Sequence, residues 1–197
     1  MPISLEAAQH LAYYKSAQTS GVLAPRGWYC FGFYGSGGDT LFVSPRPIDT
    51  AKIFVTDASR FTGPVIEVAY RSGDTSGRFD VVEITARIFP AYKAFVTETM
   101  ELFDEPAGSV PFGPYPKDRL TYKSKRLVEY RTPPQTDGLG THSWLKKNGS
   151  PIDGVAMLVG QTPDLLLLSV RLPADLTGLT SAIVHQVERD AARHVGE

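Results

Sequence analysis

With one cysteine, Cys30, in 197 residues, the chain can form neither an intrachain disulfide nor a multi-cysteine zinc site. Charge of one sign is also lacking. Twenty Lys and Arg against twenty-one Asp and Glu leave a formal net charge of -1, so no global field gathers nucleic acid or an anionic membrane. Nor does any apolar run approach the roughly 18 residues of a membrane span, the longest being broken by Gly154, Gly160 and Asp164. The chain therefore reads as soluble, with a protein or small-molecule partner, no nucleic acid and no transmembrane segment. Met1–Glu6 carries neither the basic nor the apolar region of a secretory signal. A cytoplasmic location is expected, or the periplasm or envelope if a signal peptide has been removed.

What the chain does have is strongest at its C-terminal end. Ile152–Gly160 and Leu165–Leu172 are apolar runs separated by Gln161, Thr162, Pro163 and Asp164, a composition that predicts two central strands joined by a tight turn. From Pro173 onward Leu176, Leu179, Ile183, Val187 and Ala191 recur at steps of three and four, which predicts a helix covering that hairpin. Arg189 and Arg193 suit its C-terminal dipole, and Gly196 suits its end.

Taken in order, Ser4 is read as the cap of a helix over Leu5–Ala17. Trp28–Tyr34 is too aromatic for anything but a strand, and Thr40–Val43 is its partner across a Gly-rich turn. Ile48–Phe61 mixes helical and strand signals, whereas Pro64–Arg71 reads as a strand. Phe79–Phe103 has helical spacing that Pro90 interrupts, so two consecutive helices or one kinked helix are expected. Asp104–Pro116, rich in proline and glycine, is a surface loop, and a candidate binding segment or lid. Arg119–Arg131 is read as one strand with a solvated face and His142–Leu145 as a short one. Strands cluster instead of alternating with helices, which places residues 1–197 as a single α+β domain with a mainly antiparallel central sheet.

No motif in the chain names a reaction. Gly35–Asp39 leads into a strand rather than a helix N-terminus and lacks the Gly-Lys-Ser/Thr of a phosphate loop, so it reads as a hairpin turn. The four histidines, His10, His142, His185 and His194, lie outside any nucleophile elbow, and Cys30 sits within an aromatic strand. His185 and His194 are nine residues apart on one helix, an advance of about 900° that points them to opposite faces. No catalytic residue, metal or cofactor is assigned. Lys117, Arg119, Lys123, Lys125, Arg126 and Arg131, interleaved with Tyr115, Tyr122 and Tyr130, form a basic and aromatic stretch that fits an outer strand kept soluble by its charges, with binding of nucleic acid or another anionic partner through Lys117–Arg131 as a third reading. Successive rings of Trp28–Tyr34 must face both sides of a sheet, so part of that aromatic surface awaits a cover. The candidate binding residues are Trp28 and Tyr34 on that strand with Phe112 and Tyr115 on the loop.

The stretch Gly21–Cys30 followed by Tyr34-Gly-Ser36 resembles a segment of uncharacterised bacterial proteins, many of them exported. The order of elements and the ending of strand, Leu172-Pro173 and amphipathic helix resemble the Mog1/PsbP-like α+β group. That second resemblance implies a binding or accessory role and brings no catalytic residues with it. The function expected is a non-enzymatic binding or accessory module. The alternative is a hydrolase-type enzyme whose site is assembled from dispersed residues such as His142 and Asp153.

Overall fold

The computed structural model describes residues 5–55, 60–106, 108–142 and 144–194; Ser4 and Gly196 lie outside them. A short helix, α1 (Leu5–His10), passes directly into a strand, β1 (Leu11–Tyr14), paired antiparallel with β2 (Val22–Pro25). The helix expected over Leu5–Ala17 therefore ends at its midpoint. The cause is tertiary: Val22 and Ala24 are fully buried, and Gln186 anchors the ribbon by accepting a 2.7 Å hydrogen bond from Leu23 N–H. A buried backbone that needs partners outweighs a weak helical pattern.

The hairpin of β3 (Tyr29–Gly35) and β4 (Gly38–Ser44) forms as its sequence predicts, with Gly35 opposite Gly38 and Ser36-Gly37 at the tip. Gly38 has φ of 133°, and a Cβ there would lie 2.0 Å from the Tyr70 carbonyl oxygen. The glycine serves the turn. Residues 50–55 are turns, β5 (Val65–Arg71) follows, and α2 (Arg78–Ile88) and α3 (Lys93–Leu102) are separated by a 3-10 turn at Pro90–Tyr92.

Arg119–Arg131 is two strands, not one. Chain reversal at Lys125-Arg126 divides it into β6 (Arg119–Ser124) and β7 (Leu127–Thr132), the turn being held by Arg126 N–H donating to Ser124 Oγ. The alternation of Leu120 and Tyr122 lapses over Ser124–Arg126, and the ladder shifts register between Tyr122 and Ser124 before the chain turns. The described residues of His142–Leu145 form no strand. A 3-10 turn spans Leu139–Thr141, and Leu145 makes only an isolated parallel bridge to Phe61. The chain ends with β8 (Ile152–Val159), β9 (Asp164–Arg171), a 3-10 segment Ala174–Leu179 and α4 (Thr180–His194).

Seven strands form one antiparallel sheet in the order β3-β4-β5-β9-β8-β7-β6, which makes the fold α+β. The β8–β9 hairpin is central because its side chains are buried on both faces. On one face α4 and the β1–β2 ribbon cover Leu41, Ile66, Val68, Val155 and Leu168, with Ile183, Val187 and Ala191 of α4 packed inward. On the other, α2 packs over Ala156, Leu158 and Leu167, while Ile53, Phe61, Trp144 and Leu145 cover Phe42 and Val65. Among the described residues no helix is long and apolar enough to cross a membrane.

Candidate functional site

Strand alternation sends Val128, Tyr130 and Thr132 of β7 toward α2 and leaves Leu127, Glu129 and Arg131 on the α4 face. In α4, about 100° per residue places Ser181, His185 and Glu188 on one stripe beside the core-facing Ile183 and Val187. That stripe meets β7 at Glu129. One ligating atom from each of Glu129, His185 and Glu188 lies within 4.8 Å of the others, and all three residues are half-buried.

His185 is held from both sides. Ser181 Oγ is 3.3 Å from Nδ1, and Nε2 faces Glu129 Oε1 at 3.8 Å. Glu129 Oε1 in turn receives Lys123 Nζ at 3.0 Å. Glu188 Oε1 is shielded from solvent and has no hydrogen-bond partner among the described residues. Two ionised carboxylates are acceptors only, so Glu188 and Glu129 bond to each other only when they share a proton. Burial first, then the charge of Glu129 and that shared bond, push the Glu188 carboxyl up to about 7 against the opposing pull of Lys123 and Arg189.

Next to these groups is a groove of about 340 Å³ lined by Glu129, Arg131, Asp153, Thr177, Ser181 and His185, among others. Arg131 Nη1 donates to both oxygens of Asp153, at 2.8 and 3.0 Å. Burial raises the Asp153 carboxyl from its ordinary value, and Arg131 opposes the shift. Asp153 is matched by Arg131 and Glu129 by Lys123, and Glu188 adds a third carboxyl to this end of the sheet.

The aromatic residues singled out in the sequence fall elsewhere. Trp28 packs against the core on the α4 side, and Tyr34, on the same edge of the sheet, is 68% exposed. Phe112 and Tyr115 lie on the α2–α3 side: Lys93 sits 5.3 Å over the Phe112 ring, and the Arg87 guanidinium 4.4 Å over Tyr115. The structure does not bring the two pairs together. Phe33 is covered instead by Phe31, Phe42, Phe54 and Trp144, at centroid distances of 5.2 to 6.2 Å, so Phe112 and Tyr115 do not cover the β3–β4 hairpin. His142 lies 3.4 Å from the Tyr115 hydroxyl on the α2 side and Asp153 on the α4 side, so the sheet separates them. In the basic stretch, Lys123 pairs with Glu129, Arg131 with Asp153, and Arg126 bonds Tyr92 and Gly160, while Tyr130 is buried.

Glu129, Ser181 and Glu188 carried no weight in the sequence because His185 was weighed only against another histidine. The signal available was the spacing Ser181-His185-Glu188, which puts three polar groups on one shoulder of an otherwise amphipathic helix. Glu129 had no local signal at all. No family model matches this chain, and no curated protein or solved structure matches it.

Proposed function

We propose that this protein is a binding or accessory module rather than an enzyme, and that it takes a small cationic ligand in the groove between α4 and β7–β8. The observation that carries the reading is the concentration of Glu129, Asp153, His185 and Glu188 around a recess at the edge of an apolar sheet face. Its volume falls at the lower end of small-ligand sites, and acidic groups in a half-desolvated recess favour a cation. The test is a thermal-shift and NMR titration with alkylamines, polyamines and divalent cations, repeated on Ser181→Trp, which fills the groove. Ligands that perturb His185 in the wild type and not in S181W support the reading. Equal responses in both proteins refute it.

A second reading has one observation in its favour: Ser181, His185 and Glu129 stand in the order of a nucleophile, base and orienting acid. Two features weigh against it. The 3.8 Å gap between His185 and Glu129 exceeds a hydrogen bond, and Lys123 already holds that oxygen. Moreover, α4 continues from the 3-10 segment before it, Thr180 N–H bonding Thr177 O, so its first turn is not a free set of donors for an oxyanion. Ester hydrolysis abolished by Ser181→Ala would establish the hydrolase and overturn the binding module.

A further inference from the structure

We propose that Glu129, His185 and Glu188 form a site for a divalent transition-metal ion of the zinc, cobalt or nickel class, at the wall of the groove. This deepens the binding-module reading and rests on it, since the ion would be the cation the groove receives.

The donor set is two carboxylates and one imidazole, a combination that suits borderline metals and satisfies neither an all-oxygen calcium cage nor a thiolate site. Around a tetrahedral ion with bonds near 2.1 Å, ligand atoms stand about 3.4 Å apart. The atoms here lie within 4.8 Å of one another, and His185 Nε2 and Glu129 Oε1 are already at 3.8 Å. Small side-chain rotations close the remainder. Ser181 at Nδ1 fixes the ring so that Nε2 is the nitrogen presented, the arrangement by which outer groups orient metal-bound histidines. Glu188 Oε1, shielded from water and without a donor among the described residues, is an acceptor that an incoming cation would satisfy.

Two of the ligands are neighbours one turn apart on α4, and the third comes from β7, so the site exists only when the helix is docked. Three protein ligands leave a coordination position open toward the groove. The obstacle is Lys123, whose ammonium is 3.0 Å from Glu129 and repels a second cation. Its side chain is 43% exposed on the edge strand β6, and a flexible four-carbon stem lets it swing into solvent. Lys123 is thus a competitor for the site.

The experiment is a Co²⁺ titration of the untagged full chain near pH 7.5, read by calorimetry and by visible absorption, with circular dichroism on every variant. One equivalent is expected, with the absorption of a four- or five-coordinate ion. Binding is expected to weaken at least tenfold in His185→Ala and in Glu188→Gln, and to tighten severalfold in Lys123→Met. The last variant keeps all three ligands and exposes no buried surface, so it tests the assignment even if His185→Ala fails to fold. Absence of binding, or binding unchanged in E188Q and K123M, overturns the proposal. A parallel titration with butylamine separates the two levels: amine shifts at His185 without Co²⁺ binding overturn the metal site and leave the binding module standing, whereas silence in both overturns both.

Discussion

Replacing Arg171 with Met is expected to destabilise this protein, and the magnitude follows from the contacts of its guanidinium. Arg171 ends β9 and is 1% exposed. Its guanidinium donates to the carbonyls of Phe61 at 2.9 Å, Gly63 at 3.0 Å and Lys146 at 2.5 Å, fastening two loops to the central strand. Among the described residues no carboxylate forms an ion pair with it, and burial pushes its pKa down to about 10, so it remains protonated at neutral pH. Methionine fills much of the volume but withdraws the guanidinium donors from the part-buried carbonyls of Gly63 and Lys146, at about 1–3 kcal/mol each, while Phe61 O keeps its bond from Lys146 N–H. Against this stands relief from burying a charge, several kcal/mol in the opposite direction. The net loss is about 2 kcal/mol, within the range of ordinary destabilising substitutions. With a slope of about 2 kcal/mol/M, the urea midpoint falls by roughly 1 M. Amide exchange adds a local readout, because Lys146 N–H bonds Phe61 O and Phe61 N–H bonds Trp144 O, and both are expected to lose protection first. A loss below about 1 kcal/mol would show that the carbonyls find water and that the clamp is dispensable.

In chelator-containing buffer, Glu188→Gln is expected to match the wild type near pH 5 and exceed it by about 1 kcal/mol at pH 8, after discounting for solvent screening. The sign follows from the folded-state pKa of about 7, above the ordinary carboxylate value: the folded form holds the proton more tightly, so wild-type stability declines as pH rises through that window. Urea curves at the two pH values check it, and a deficit for Gln at pH 8 would contradict it. Gly154→Ala is expected to cost about 2 kcal/mol or more, because its Cβ would meet Leu168 O at 1.9 Å and the Tyr130 ring at 2.6 Å; a change in thermal midpoint below 2 °C would refute the clash. Tyr34→Ala is expected to leave stability within about 0.5 kcal/mol, while Trp28→Ala, packed against the core, lowers it by about 2 kcal/mol; equal effects in chemical denaturation would be the contrary result.

What the sequence determined by itself is whatever short-range periodicity encodes. The apolar runs Ile152–Gly160 and Leu165–Leu172 became the central hairpin, and the stripe through Ile183, Val187 and Ala191 became the buried face of α4, because each pattern has one solution that hides its apolar atoms. Pro90 divides α2 from α3 and the glycines at 35 and 38 close the first hairpin for equally local reasons. Tertiary structure decided the weaker cases. Leu11–Tyr14 is a strand only because Val22–Pro25 lies beside it under α4, and the reversal at Lys125-Arg126 is set by the pairing of β6 with β7, which shifts register between Tyr122 and Ser124. The candidate site belongs wholly to this second class. Glu129 faces His185 and Glu188 only once β7 has paired with β8 and α4 has settled across them, and the electrostatics of the group arise from that approach. Backbone periodicity follows from neighbours in the chain, whereas a cluster of charges depends on which surfaces are brought together in space.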